Sequence, residues 1–275
     1  TLFYNIEIEL YYRILYNTSV GKYWVIYTIG GLLMERMIDI HSHILPGIDD
    51  GARDMDEAME MLAIAYDQGI RIIVATPHYS TYIHEYTVKE LMKIVRQINL
   101  AAQSLGMDMQ IILGNELFYS IDLVEALGKG EALTIYGTRY ILVEFLSGIS
   151  EQEICYALNH CVYSGYIPIV AHAERYECLR SKPQTVEELI RLGAYIQLNL
   201  SSLVGELSCA KTRFARKLLK MQCVHFIGTD CHDVRKRPPT TKCAIRYLAH
   251  KYGKERLRQL LWENPLTMLG NRHLQ

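Results

Sequence analysis

His41 and His43 stand one residue apart at the end of an apolar run, and Asp230 and His232 repeat that spacing at the end of another. In an extended strand, residues i and i+2 point to one face. Each pair therefore projects two donors to the same side, while Ser42 and Cys231 point away, which makes Cys231 a poor ligand candidate. Further apolar runs end in the same residue types. "IIVATPH" reaches His78, "IILGNE" reaches Glu116, "YILVEF" carries Glu144, and "IPIVAHAER" carries His172 and Arg175. Asp50 lies in the loop after the first run. Acids and imidazoles converging on one pocket are costly to bury unless cations accompany them. The set His41, His43, Asp50, His78, Glu116, Glu144, His172, Asp230 and His232 exceeds the needs of one ion and suits two or three, with a carboxylate bridging. Nitrogen and oxygen donors without a thiolate favour Mn²⁺, Fe²⁺ or Zn²⁺ over Ca²⁺ or Cu⁺. Such a centre lowers the pKa of a bridging water and neutralises both oxygens of an in-line displacement, which fits phosphate ester hydrolysis. Arg175, three residues beyond His172, and Arg237, five beyond His232, are the candidate phosphate contacts.

These residues must be held by alternating strands and helices. The apolar runs predict strands at 37–41, 71–76, 110–114, 140–144, 167–171, 195–199 and 224–228. Helical spacing fills the segments between them, at 54–68, 88–105, 121–127, 151–164, 185–192, 210–221 and 242–251. Alternation of this kind means parallel strands with helical crossovers. Seven units without a linker predict a closed or nearly closed α/β barrel, with an open doubly wound sheet as the alternative. In a barrel, functional residues gather at the C-terminal strand ends. Six of the seven predicted strands deliver a His or a carboxylate there, and 195–199 offers only Asn199 and the serines after it.

The chain has 275 residues, with 29 Lys+Arg against 30 Asp+Glu. This balance argues against a nucleic-acid partner or an anionic membrane. Seven cysteines without a C-x-x-C read as thiols in a reducing compartment. No run reaches the roughly 18 apolar residues of a membrane span, and residues 23–33 lack the flanks of a signal peptide. The expectation is a cytoplasmic protein without membrane insertion. Residues 1–36 match none of the later patterns. They are expected to be an N-terminal extension, disordered or not native, with Met34 or Met37 as the functional start. Residues 37–275 form the expected metallophosphatase domain.

In order, "MIDIHSHILPGIDDGARDMDEA", "ATPHY", "GNELFYS", "LVEF", "AHAERY" and "GTDCHDVRKRPP" resemble the motifs of the PHP (polymerase and histidinol phosphatase) superfamily. Within it, they resemble the bacterial manganese-dependent protein-tyrosine phosphatases of capsular and exopolysaccharide loci. The resemblance runs from Met37 to the C-terminus. It implies a distorted seven-stranded (β/α) barrel with three divalent ions, Mn²⁺ first and Fe²⁺, Zn²⁺ or Mg²⁺ as alternatives. His41, His43, Glu116 and Asp230 would hold one ion. Glu116 would bridge to a second, held also by Glu144 and His172. Asp50, His78 and His232 would hold the third. Arg175 and Arg237 would contact phosphate beside Asp230, and metal-bound hydroxide would attack phosphorus without a cysteinyl intermediate. The implied substrate is phosphotyrosine on a protein, typically the tail of a bacterial tyrosine kinase. A PHP phosphatase of a small ester such as histidinol phosphate is the alternative. Homo-oligomerisation is left open.

Overall fold

The computed structural model describes residues 28–29, 32–33, 36–82, 86–205 and 209–274. Two units divide the chain, Thr1–Glu35 and Arg36–Gln275. In the first, Thr28–Ile29 pairs antiparallel with Leu32–Leu33. The expectations for residues 1–36 otherwise lie outside the described residues.

The second unit is an α/β fold of parallel strands. Strands β1 (Met37–Ser42), β2 (Ile70–Ala75) and β4 (Gln110–Leu113) form a three-stranded sheet in the order β1-β2-β4. The other sheet holds β3 (His78–Tyr79), β5 (Glu116–Phe118), β6 (Tyr140–Glu144), β7 (Ile167–Val170), β8 (Tyr195–Asn199) and β9 (Phe226–Gly228). Its six strands run in the order β9-β8-β7-β6-β5-β3. The sheets curl toward each other at the end of β1. There the His43 amide donates to the Cys231 carbonyl at 2.9 Å and the Asp230 amide to the His41 carbonyl at 2.8 Å.

The sequence predicts seven strands, whereas the second unit has nine among the described residues. Two of the apolar runs carry a second short strand just beyond the predicted one. After β2, Pro77 has no N–H to give to a ladder, and pairing resumes only at His78. After β4, Asn115 is pulled out of register. Its side chain donates to the Pro77 carbonyl at 2.9 Å and accepts from the Leu133 amide at 2.9 Å. The ends of both interrupted runs thus turn His78 and Glu116 inward together, paired in register.

The longer helices follow the predicted spacing, and side-chain caps explain the starts of three of them. In α1 (Met55–Asp67), the Asp54 side chain accepts from the Glu57 amide. Glu57 itself turns to Arg53, at 2.7 Å, so only half of a capping box is made here. Ala58, Met61, Leu62 and Ala65 form its fully buried stripe, and burying each of the two larger side chains stabilises by roughly 1.5–3 kcal/mol. Full capping boxes open α2 (Val88–Ser104), with Thr87 and Glu90, and α4 (Glu151–Tyr163), with Ser150 and Glu153. Between them lies α3 (Leu123–Lys129), closed by Gly130 at φ 72°. Two short helices, α5 (Glu177–Ser181) and α7 (Leu200–Val204), flank α6 (Thr185–Arg191) and have no counterpart in the sequence pattern. After α8 (Ala210–Lys220), α9 (Lys242–Arg258) outruns its predicted end through a kink at Gly253.

Candidate metal centre

The C-terminal strand ends bring all nine predicted donors into one chamber. Three sets have donor atoms within 4.8 Å of one another: His41, His43, Glu116 and Asp230; His43, Asp50, His78 and His232; and His78, Glu116 and Glu144. His172 joins the last, its Nε2 lying 2.8 Å from Glu116 Oε1 and 3.3 Å from Glu144 Oε1. The sets share members. His43 faces both of the first two, and His78 reaches both Asp50 and Glu116, a double reach that the sequence pattern does not reveal.

Glu116 is the pivot. Its Oε2 lies 3.1 Å from His41 Nε2, 3.2 Å from His43 Nε2 and 3.2 Å from His78 Nδ1. Donors about 2.1 Å from a common ion stand roughly 3–4 Å apart, so these separations fit shared cations. The electrostatics point the same way. Burial works against charge on His43, but hydrogen bonds with Asp49 and Glu116 outweigh it and push the ring up to about 10. Burial likewise opposes charge on His172, and Glu116 with Glu144 still raises it to about 9. Burial also opposes ionisation of Glu116, yet His41 and His172 hold its carboxyl well below the ordinary range. The chamber therefore demands positive charge, which divalent cations supply together with coordination.

Backbone geometry at the site is unusual. His172, at φ 33°, and Asp230, at φ 52°, both lie in the left-handed region that favours glycine, and strain of this kind clusters at functional sites. Gly228 makes the close approach of β9 to β1 feasible, since a Cβ there would stand 2.7 Å from that of His41. One side of the chamber is open. His41 and His43 are fully buried, while the side chains of Asp50 and His78 are 66% and 39% exposed.

Arg175 and Arg237 reach the chamber from the ends of β7 and β9. Their guanidinium groups lie 2.5 Å and 2.7 Å from the same atom, Asp230 Oδ2. Arg237 is therefore no loop charge facing only water. Of the tyrosines near the motifs, Tyr79 is buried, Tyr86 donates to the His78 carbonyl, and Tyr119 bonds His160 at 3.1 Å. Tyr82 alone of these four is exposed.

Asp49 and Gln197 escape sequence reasoning, in which Asn199 figures only as a residue that is no ligand. Asp49 Oδ2 lies 2.7 Å from His43 Nδ1 and also accepts from the His78 amide at 3.1 Å. Gln197 and Asn199, on the strand without ligands, touch His41 and Asp230 at 3.3 Å and 2.6 Å. Their i, i+2 spacing, the same as that of His41 and His43, is the signal that could have found them. Cys231 also precedes Arg237 by six residues, the C-x5-R interval of cysteine-dependent phosphatases. The structure removes its force. Cys231 is fully buried and burial pushes its thiol up, whereas a nucleophilic cysteine needs a lowered pKa and access.

A parallel α/β fold with a His/Asp/Glu cluster at its strand ends, able to hold metal, is that of a PHP-type protein. The chain belongs to the CpsB/CapC family of capsular polysaccharide synthesis proteins, which matches residues 37–270. It is 34% identical over 243 residues to the tyrosine-protein phosphatase CpsB of Streptococcus agalactiae serotype V, covering 86% of this chain and 100% of that protein. It is 33% identical over 239 residues to the tyrosine-protein phosphatase YwqE of Bacillus subtilis, covering 86% and 92%. A crystal structure from work on YwqE from Bacillus subtilis and CpsB from Streptococcus pneumoniae, described as unique metal-dependent tyrosine phosphatases, superposes with a TM-score of 0.80. It is 31% identical and covers 87% of this chain and 96% of the other. Among the described residues, no helix is long and apolar enough to cross a membrane.

Proposed function

We propose that this chain is a metal-dependent protein-tyrosine phosphatase acting on a tyrosine-phosphorylated protein of capsule or exopolysaccharide synthesis. The observation that carries the reading is the convergence of nine nitrogen and oxygen donors on one chamber with two arginines at its edge. The donors fit three ions, Mn²⁺ first. His41, His43, Glu116 and Asp230 would hold the innermost. His78, Glu116, Glu144 and His172 would hold the second. His43, Asp50, His78 and His232 would hold the third. The architecture is read as a distorted barrel of seven staves, with β2/β3 and β4/β5 as two interrupted ones. The hydrogen bonds between the end of β1 and the segment just after β9 support that reading. Residues 37–275 are the catalytic domain, the setting is the cytoplasm, and the partner is the phosphorylated tail of a bacterial tyrosine kinase.

Divalent ions bound in such a chamber supply Lewis-acid charge to phosphoryl oxygens and lower the pKa of water. The chain's own residues do the rest. A guanidinium has five N–H donors, and Asp230 engages only part of that set on Arg175 and Arg237. The remaining donors are free to orient a phosphoryl group between the two arginines. Asp230 keeps both guanidinium groups at the chamber edge. Buried walls at His41, His43 and His172 exclude bulk water from the inner side. The leaving phenolate, with a pKa near 10, departs without a dedicated acid.

The test offers phosphotyrosine peptide and histidinol phosphate in parallel, with Mn²⁺ and with chelator. Faster, metal-dependent hydrolysis of the peptide is expected. A preference for histidinol phosphate would overturn the assignment, and no hydrolysis of either would remove the phosphatase reading.

A further inference from the structure

Strand β8 reaches the chamber with neither a carboxylate nor an imidazole, yet two of its buried amides touch the cluster. Gln197 Oε1 lies 2.6 Å from the backbone nitrogen of His172. A backbone N–H only donates, so this atom is the carbonyl oxygen and the amide orientation is fixed. The same oxygen lies 3.3 Å from His41 Nδ1. An amide oxygen only accepts, so Nδ1 carries the proton. The Nε2 lone pair of His41 then faces Glu116 Oε2 at 3.1 Å and Asp230 Oδ1 at 3.4 Å.

The other end of the amide continues the sequence. Gln197 Nε2 donates to Asn199 Oδ1 at 3.0 Å, and Asn199 Nδ2 donates to Asp230 Oδ2 at 2.6 Å. Each orientation follows from the one before it. Because both arginines also point to Oδ2, Oδ1 is left as the Asp230 atom turned toward His41 and His43, at 3.4 Å and 3.5 Å. One peptide N–H, that of His172, thus dictates the tautomer of His41 and, through two amides, the free oxygen of Asp230.

We propose that Gln197 is a positioning residue. With Asn199 it forms an amide relay that presets His41 as the Nδ1–H tautomer and Asp230 as a donor through Oδ1. The inference rests on the reading of His41 and Asp230 as ligands. Outer partners of this kind change metal affinity by about 10–100-fold when removed.

The test titrates Zn²⁺, which is diamagnetic, into the full-length protein after chelation, against a competing chelator. Wild type is compared with Gln197→Met, Gln197→Glu and His41→Ala. Gln197→Met removes both polar atoms at nearly constant volume and is expected to weaken zinc binding by about 10–100-fold, with circular dichroism unchanged. Gln197→Glu keeps an oxygen that accepts from His172 and His41, and is expected to return affinity to within about tenfold of wild type. In ¹⁵N-histidine spectra of the zinc-loaded wild type, His41 is expected to carry its proton on Nδ1.

If Gln197→Met binds zinc like wild type while His41→Ala does not, the relay is refuted and the ligand reading stands. If His41→Ala also binds like wild type, the ligand reading itself has failed. A Gln197→Glu as weak as Gln197→Met overturns the role of the acceptor oxygen. Should Gln197→Met fail to fold, Gln197→Glu and the wild-type spectrum decide, and zinc on His41 Nδ1 overturns the proposal.

Discussion

Asp49 and Asp50 are neighbours with opposite tasks. Asp50, with its side chain 66% exposed, faces His78 and His232 at 3.4 Å and 3.3 Å. Asp49, only 7% exposed, turns inward to His43 Nδ1. Gly51 lets the loop close this tightly, because a Cβ there would fall 2.0 Å from the His43 carbonyl oxygen. A carboxylate on the far nitrogen of a ligating imidazole fixes its tautomer. Asp49→Asn places an NH2 group either against both the His43 ring and the His78 N–H or against the Gly51 N–H, and bound metal measured after equilibrium dialysis is expected to fall by about 10–100-fold in affinity. At the opposite edge, Arg237→Ala is expected to leave metal content intact while phosphotyrosine turnover drops about 100-fold, the scale for losing one charge-stabilising donor. Metal loss in that variant would mean that Arg237 holds Asp230 rather than substrate. The sequence made the charged residues legible through their spacing. The family resemblance singled out Asp50, but spacing alone offers no sign that Asp49 turns inward, because only the fold of the loop decides that.

The strand ends explain why so much of the cluster was readable from sequence. Parallel strands bury both faces, so a polar residue at the end of an apolar run stands out. His78, Glu116, Glu144 and His172 were found in this way. Gln197 and Asn199 were not, since uncharged amides in a buried strand resemble ordinary hydrogen-bonding residues. The interruptions at Pro77 and Asn115 were also unreadable as breaks, because they depend on pairing between distant segments. Close packing at the β1/β9 seam yields a sharp expectation. Gly228→Ala puts a methyl 2.7 Å from the His41 Cβ and 3.2 Å from Gln197 Nε2. Overpacking of this kind costs about 1–3 kcal/mol. A lowered denaturation midpoint together with reduced metal binding is expected, and a variant that loses neither would show that the seam yields easily.

Over the whole molecule, acid stability has a contributor far from the strand ends. His225 accepts from the Ile196 amide at 3.2 Å and stacks edge-on to Tyr195. Burial, and then the Arg256 guanidinium, lowers it from 6.5 to about 4. Between those values the unfolded chain binds a proton that the folded chain refuses, so stability falls as pH drops through that window and His225 is without effect above it. His225→Gln is expected to flatten the thermal midpoint between about pH 6.5 and pH 4 relative to wild type. Equal slopes would assign the acid sensitivity elsewhere. The uneven walls of the chamber have a different kind of consequence. His41 and His43 are sealed, whereas Asp50 and His78 look out to solvent. On the proposed three-ion reading, exchange with the surrounding ion pool is expected to be a two-speed process. A brief pulse of chelator is expected to draw off the outermost ion and stop turnover while the innermost stays behind, as metal counted before and after the pulse would reveal. A catalyst arranged this way would keep a resident ion as a record of how it was first loaded, while its activity would track whichever metal is in supply at the moment.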